Sequence, residues 1–140
     1  MAEIRPFEPA DREAVISLWR RAAFLPLTLE DADTTFSDHI EPRCDIWVTI
    51  EESRKVAYLA IAGSMIDRLY VDPPDQESGH GSRLLDLAKE LRPDGLELYT
   101  HLENRQARSF YESRDFEAIE FGVSPPPESM PDVKYRWTPS

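Results

Sequence analysis

The sequence predicts a mixed α/β fold built as a single domain over residues 1–140. A length of 140 residues fits one domain, and an apolar share of 41% is enough to build one core. Strand-like and helix-like patterns follow each other in the order β-α-α-β-β-β-α-β-α-β-β. This order lacks the regular alternation of a doubly wound parallel sheet, so it predicts a mixed sheet.

The first part of the chain predicts one strand followed by two helices. Residues 3–7 suit a short strand, and residues 9–24 carry a helical apolar pattern that Asp11 can cap. Thr28 can cap a second helix over residues 28–40. The apolar face of the first helix comprises Ala14, Val15, Leu18, Trp19 and Ala22.

Three strands and a helix are predicted in the middle of the chain. Residues 45–51 and 55–63 form a hairpin around a short turn, and residues 65–73 form the next strand, which Pro73 ends. Residues 82–93 form a helix because leucines recur at helical spacing until Pro93.

The last part predicts a strand, a helix and two closing strands. Residues 95–103 alternate as a strand, and a helix begins at the potential cap Asn104. Residues 116–123 and 132–137 are the last strands. The proline-rich stretch between them is too long for a tight hairpin.

Composition argues against several classes of function. The net charge of -11 and the pI of about 4.7 disfavour binding to nucleic acid or to anionic membranes. The single cysteine, Cys44, allows no intrachain disulfide, and no Cys or His spacing is typical of a metal site. With no apolar signal core and no membrane-length run, a cytoplasmic protein is expected.

The stretch DQESGHGSRLL, residues 75–85, places two glycines between a predicted strand and a predicted helix. The first N–H groups of a helix lack internal partners and favour an anion, and glycines let a ligand approach the backbone. The stretch matches neither a P-loop, since it has no lysine, nor a Rossmann loop, since Leu84 stands at the third glycine position.

What remains is Gln76-x-x-Gly79-x-Gly81 after a strand that ends in Val71-Asp72-Pro73. This pattern resembles the coenzyme A loop of the GNAT acetyltransferase superfamily. A second segment resembles the same superfamily and supplies Asn104, Ala107, Phe110, Tyr111 and Phe116 in order. The opening IRPFEPADREAVISLW is also similar to its first strand and helix.

The resemblance implies a GNAT fold, with a central twisted, mostly antiparallel sheet of six to seven strands flanked by about four helices. It implies transfer of an acetyl group from acetyl-CoA, as cosubstrate, to a primary amine of a small molecule or a protein, with no metal. The alternative is an acyl-CoA-binding regulatory or protein-interaction module without catalysis. A homodimer formed through the terminal strands is a further possibility.

The resemblance also implies a set of cofactor contacts. The backbone of Leu69, Tyr70 and Val71 is expected to pair with the pantetheine arm, and the side chain of His80 is expected to face solvent. The remaining expected contacts with coenzyme A are Gln76, Glu77, Ser78, Gly79, His80, Gly81, Ser82, Asn104, Ala107 and Phe110. Asn104 can act as a helix cap, as a ligand, or in part as both.

Four side chains are candidates for the chemistry. Tyr111 matches the family tyrosine that protonates the departing thiolate. The general base stays open between Asp67, His101 and Glu97, or a water molecule. Asp67 is expected to share a strand face with Leu69 and Val71. Much of the acceptor site is expected from residues 20–43.

Two departures from the family pattern carry predictions. Asp75 and Glu77 place carboxylates in a loop that usually holds basic residues, which predicts weaker coenzyme A binding. Asp115 stands where the family commonly has glycine at a helix end, a position that is often left-handed. An aspartate there costs about 1 kcal/mol.

Overall fold

One seven-stranded sheet organises the protein, and the computed structural model describes residues 2–126 and 129–139. The strands are β1 (Ala2–Pro6), β2 (Asp45–Glu51), β3 (Arg54–Ala62), β4 (Met65–Val71), β5 (Leu96–His101), β6 (Glu117–Val123) and β7 (Pro131–Trp137). The α-helices are α1 (Arg12–Ala22), α2 (Leu29–Thr35), α3 (His80–Leu91) and α4 (Arg105–Glu112). The predicted order of strands and helices is confirmed.

The strand order across the sheet is β1-β2-β3-β4-β5-β7-β6, and every neighbouring pair is antiparallel except β4 and β5. The parallel pair is joined only at Met65 with Glu97 and Ile66 with Leu98. Beyond Ile66 the two strands separate, which leaves one edge of β4 without a strand partner in the described part of the chain. The sheet therefore opens in its middle.

Each face of the sheet packs against a different pair of helices. Buried residues of α3 and α4 join β3, β5 and β7 in one core, which we call the α3–α4 cluster. Buried residues of α1, α2 and the π-helical turn Phe36–Ile40 join β2 and β3 in the second core, the α1–α2 cluster. The predicted face of α1 is confirmed at Val15, Leu18 and Trp19, which are buried there.

A bulge in β4 overturns the predicted orientation of Asp67. Ala60 pairs with Arg68 and Ile61 pairs with Ile66, so Asp67 is an extra residue without a direct partner. The extra residue reverses the alternation of side chains, and Asp67 contacts Cys44 on the α1–α2 side. Leu69 and Val71 pack against the other cluster, so the expectation of one shared face was wrong.

Two predicted caps are present and a third is not. The Thr28 side chain accepts a hydrogen bond from the Asp31 N–H, and the Asn104 side chain accepts one from the Ala107 N–H at 3.2 Å. Asp11 makes no cap bond to α1. It accepts instead from the Glu8 N–H and from Arg5, because the preceding 3₁₀ turn brings it back toward β1.

Two further findings complete the fold. In the described ranges, no helix has both the length and the apolar character that crossing a membrane requires. The proline-rich connection between β6 and β7 includes residues 127–128, so this part of the loop prediction lies outside the described residues.

Asp115 lies in the turn that follows α4 and has φ of 73°, in the left-handed region that the sequence predicts. The N–H groups of Arg114 and Phe116 both bond the Tyr111 carbonyl across this turn. We expect Asp115→Gly to raise the free energy of unfolding by about 0.5 kcal/mol, since glycine removes the left-handed penalty but loses more chain entropy. Urea denaturation measures this change. Asp94→Gly, at a position without positive φ, is the control, and a less stable Asp115→Gly protein would contradict the prediction.

Candidate active site

The gap between β4 and β5 leads into two cavities that share Tyr70 and Asn104. The first, of about 450 Å³, lies between residues 75–81, which we call the glycine loop, β4 and α4, and we call it the loop cavity. The second, of about 670 Å³, lies on the α1–α2 side of the sheet between the end of α1 and strands β5 to β7, and we call it the sheet-face cavity. A molecule lying in one can reach the other past Tyr70 and Asn104.

The loop cavity gathers nearly all the residues that the resemblance assigns to the cofactor. Ser78 is the exception, since it is not part of the lining. The predicted residues in the lining are Leu69, Tyr70, Val71, Gln76, Glu77, Gly79, His80, Gly81, Ser82, Asn104, Ala107 and Phe110. Tyr111 lines the same cavity.

Glycine is required at positions 79 and 81 for two different structural reasons. Gly79 has φ of 86° and precedes α3, a left-handed conformation that glycine adopts without strain. Gly81 is crowded, because a Cβ atom there would lie 3.3 Å from Phe110 Cζ and 3.6 Å from Val71 Cγ2. The free N–H groups in the first turn of α3 form the positive end of the helix beside the cavity. No acidic residue in that turn offsets this charge.

The edge of β4 beside the gap can also bind a ligand through its backbone. Leu69, Tyr70 and Val71 pair with β3 on one side, while the opposite side has left β5. The Gln76 side chain donates a hydrogen bond to the Val71 carbonyl at 3.1 Å, so that carbonyl is already occupied. The rest of this edge suits an extended amide-containing chain.

Two ion pairs hold the start of the glycine loop and the residues that join it to β4. Arg21 of α1 binds Asp72 through two hydrogen bonds of 2.9 Å, and Arg54 of β3 binds Asp75 at 2.8 Å. Both carboxylates are nearly buried, and neither lines the loop cavity. Asp75 therefore does not face the loop cavity, because Arg54 binds its carboxylate, and the prediction of weaker coenzyme A binding depends on Glu77.

This arrangement predicts the effect of removing Arg54. We expect Arg54→Gln to raise the Kd for acetyl-CoA about fivefold, since the unpaired Asp75 carboxylate then repels the cofactor and loosens the loop. Adding Asp75→Asn should recover part of the affinity. Calorimetric titration measures both variants beside Arg43→Gln, which removes an exposed charge elsewhere. Equal affinities for wild type and Arg54→Gln would contradict the prediction.

His80 is buried, and the expectation that its side chain faces solvent was wrong. Its Nε2 atom lies 3.8 Å from a Glu51 carboxylate oxygen, and its Nδ1 atom lies 3.5 Å from Arg83 Nη1. The ring turns inward because His80 is the first residue of α3, where the helix packs onto the sheet. The backbone of this residue, together with its neighbours, still lines the loop cavity.

Arg114 is the main residue of the loop cavity that sequence reasoning missed. Its guanidinium donates hydrogen bonds of 2.7 and 3.1 Å to Ser82 Oγ and lies 4.0 Å from the centre of the Phe110 ring. It therefore brings a positive charge to the first turn of α3. Gln106 is a second such residue and donates to Gln76 at 3.3 Å. The one sequence feature that could have indicated a role for Arg114 at this site is its position just after α4.

Tyr111 lies at the inner wall of the loop cavity. Its ring packs against Phe110, Phe116 and Tyr135, with centroid distances of 5.1, 5.5 and 6.4 Å. Burial raises the pKa of the Tyr111 phenol well above its usual value. The hydroxyl therefore keeps its proton at neutral pH.

Of the three candidate bases, Asp67 and His101 line the sheet-face cavity and Glu97 does not. Glu97 accepts from Arg136 at 2.8 Å and lies 3.3 Å from Lys134, and its pKa is lowered chiefly by the Arg136 hydrogen bond. This carboxylate is held as an ion pair outside both cavities, which removes Glu97 from the candidate bases.

Asp67 contacts two side chains at the edge of the sheet-face cavity. One carboxylate oxygen lies 3.3 Å from Arg68 Nη1, and the other accepts from the Cys44 thiol at 3.6 Å. Burial, followed by the nearby Asp67 charge, raises the Cys44 pKa to about 12. The Cys44 thiol is therefore protonated at neutral pH and donates to the Asp67 carboxylate.

The segment 20–43 contributes to the sheet-face cavity only through the turn after α1. That turn provides Ala23, Phe24, Leu25 and Leu27. Phe24 stacks on the His101 ring with a centroid distance of 5.5 Å. Phe36 is buried in the α1–α2 cluster, and Asp31, Asp33 and Asp38 are not in the lining.

Known acetyltransferases are similar to this chain in sequence and in fold. Residues 42–118 match the family model described as "Acetyltransferase (GNAT) domain". A relative from Salmonella typhimurium, named peptidyl-lysine N-acetyltransferase YjaB, is 28% identical over 123 residues, which cover 83% of each chain. Among solved structures, YjaB from Escherichia coli has a TM-score of 0.79 at 22% identity and covers 100% of this chain and 99% of its own. The ribosomal-protein-S18-alanine N-acetyltransferase of Escherichia coli has a TM-score of 0.77 at 19% identity, with coverage of 100% and 95%.

Proposed function

This chain belongs to the GNAT acetyltransferase family, and we propose that it acetylates lysine side chains of peptides or proteins. As a family member it is an acetyl-CoA-dependent N-acetyltransferase, which disfavours the alternative of a module without catalysis. The observation that carries the proposal is the meeting of two cavities at Tyr70 and Asn104. One suits the cofactor, and the other opens beside carboxylates that suit an amine.

In this proposal acetyl-CoA occupies the loop cavity. The N–H groups at the start of α3 and the Arg114 guanidinium receive the pyrophosphate, and the glycines allow its close approach. The pantetheine arm lies along the open edge of β4 at Leu69–Val71. Asn104 caps α4 through the Ala107 N–H and lines both cavities, so its side-chain NH₂ group remains for the ligand.

The chemistry is a direct transfer without a covalent enzyme intermediate. The neutral amine nitrogen attacks the thioester carbonyl carbon, a C–N bond forms, and the C–S bond breaks. Tyr111 gives its proton to the departing thiolate and regains one from solvent. The proton of the amine passes to Asp67 or His101, directly or through water. The pH profiles of Asp67→Asn and His101→Gln variants separate these two bases.

A lysine side chain fits the sheet-face cavity in shape and charge. Phe24, Leu25 and Val123 provide apolar contacts for its methylene chain, and the Asp67 carboxylate lines the same cavity. The curated relatives carry peptidyl-lysine in their names, which supports the same acceptor.

The test is release of free CoA thiol from acetyl-CoA in the presence of peptides with one internal lysine. We expect acetylation of the lysine Nε atom, identified by mass spectrometry. A matched peptide with arginine in place of lysine is the control. Acetylation confined to the α-amine of unblocked peptides would overturn the lysine proposal while leaving the transferase activity.

Glu77 is the one carboxylate of the glycine loop that lines the loop cavity. We expect Glu77→Lys to lower the Kd for acetyl-CoA about fivefold at low ionic strength, because a repelling charge becomes an attracting one. Asp86→Lys, on the exposed side of α3, controls for net charge. Calorimetry at low and high salt measures the effect, and unchanged affinity at low salt would refute it.

The remaining expectations are also proposals. We infer that residues 1–140 act as one acetyltransferase domain in the cytoplasm, in line with one sheet that runs from Ala2 to Trp137. A homodimer is supported by β6, an edge strand that exposes Phe121 and Val123. Light scattering at several concentrations measures the oligomeric state. Neither nucleic acid nor membrane is proposed as a partner.

A further inference from the structure

Within residues 2–126 and 129–139, no helix joins the core on one half of one sheet face. The α1–α2 cluster covers β2 and β3 and reaches β4 at Tyr70, but it includes no residue of β5, β6 or β7. On the same side, these three strands present side chains in register. The rows across β5, β7 and β6 are His101–Asp132–Gly122, Tyr99–Lys134–Glu120 and Glu97–Arg136–Glu117. We call these nine residues the open face.

The open face is continuous with the sheet-face cavity. Its first row, together with Tyr99 and Glu120, belongs to the lining of that cavity. Tyr99 is 51% exposed, and Glu120 is also exposed. Because Gly122 has no side chain, nothing projects from that position beside Asp132 where the cavity opens. A peptide whose lysine enters the cavity can therefore lie along this surface.

Glu97, at the far end of the open face, is ion-paired, whereas the two carboxylates near the cavity are not, within the described part of the chain. Glu97 takes both nearby cations, Arg136 and Lys134. Across the described residues, Asp132 and Glu120 lie within ion-pair distance of no basic side chain. The two carboxylates nearest the cavity mouth are thus available to an incoming cation.

We propose that Asp132 and Glu120 bind a second positive charge on the acceptor, so that the preferred substrate is a peptide with another basic residue close to the lysine. This inference rests on the proposed lysine acetylation and names its sequence context. Neighbouring strands are about 5 Å apart, so Asp132 is one strand and Glu120 two strands from His101. These carboxylates are therefore about 5 Å and about 10 Å from His101. Two residues of an extended peptide span about 7 Å, between these two distances, which places the second basic residue about two positions from the lysine.

The experiment compares peptides that differ only at the position two residues before or after a single lysine, with arginine, alanine or glutamate there. All have blocked termini, and kcat/KM is measured by CoA release. For wild type we expect the arginine peptides to exceed the alanine peptides about fivefold, and the glutamate peptides to fall below both. The preference should shrink as salt is added.

The variant Glu120→Gln/Asp132→Asn tests the residues themselves. Its readout is the ratio of kcat/KM between arginine and alanine peptides, which we expect to fall close to one whatever the overall activity. The charge-matched control Asp86→Asn/Glu90→Gln changes exposed residues of α3 on the other side of the sheet and should keep the wild-type ratio.

The outcomes separate this inference from the proposed function. Equal use of all peptides by wild type, or an unchanged ratio in Glu120→Gln/Asp132→Asn, overturns the inference and leaves lysine acetylation standing. Acetylation of 1,5-diaminopentane without acetylation of any peptide overturns the proposed lysine-peptide acceptor itself, and with it the peptide occupant of the open face.

Discussion

Gly81→Asp should abolish measurable binding of acetyl-CoA, with a loss of affinity of at least about 100-fold. A Cβ atom at this position would lie 3.3 Å from Phe110 and 3.6 Å from Val71, so the wall of the loop cavity must shift. The new carboxylate also adds negative charge where the pyrophosphate approaches. A loss of 100-fold equals about 2.7 kcal/mol, which steric crowding and charge repulsion together can supply.

Calorimetric titration measures this loss, and a matched glycine provides the control. Gly63 lies in the turn between β3 and β4 with φ of 62°, and a Cβ atom there would meet no atom within 4 Å. Gly63→Asp should therefore bind acetyl-CoA like wild type. Far-UV circular dichroism shows whether Gly81→Asp is folded. A folded Gly81→Asp protein with wild-type affinity would place the cofactor elsewhere.

Tyr111→Phe should lower kcat about 100-fold and leave the Kd for acetyl-CoA unchanged. The phenyl ring keeps the contacts with Phe110 and Phe116, while the proton for the thiolate is lost. Because burial raises the Tyr111 pKa well above its usual value, its proton stays in place up to about pH 10. Wild-type kcat should show no decline from loss of this proton below that pH.

Steady-state kinetics and calorimetry separate the two effects of Tyr111→Phe. Tyr58→Phe is the control, since Tyr58 is also buried but lies in the α1–α2 cluster and lines neither cavity. A kcat for Tyr111→Phe within about threefold of wild type would remove the tyrosine from its proposed role as acid.

The order of the strands and helices could be predicted because its signals are local. Alternation marks the strands, leucines at helical spacing mark α3, and Thr28 and Asn104 mark helix starts. The bulge at Asp67 could not be predicted, since the residue types in MIDRLYV are the same whether the strand pairs regularly or with one extra residue. Only pairing with β3 reveals it, and the bulge turns Asp67 into the sheet-face cavity.

The charge environment of the glycine loop also could not be predicted from the sequence. Asp75 has the residue type of an exposed loop carboxylate, but its partner Arg54 is 21 positions earlier and reaches it through the β2–β3 hairpin. Arg114 comes to Ser82 from 32 positions away. The glycine spacing identified the loop, and the resemblance named most of the lining of the loop cavity. Its electrostatics required tertiary contacts.

The most direct test of the central claim is an NMR titration of the ¹⁵N-labelled protein with acetyl-CoA. We expect the largest amide shifts on Gly79, Gly81 and Ser82 at the start of α3 and on Leu69 to Val71 along the open edge of β4. Binding without shifts in either segment, or shifts centred on β6, would contradict a cofactor site in the loop cavity.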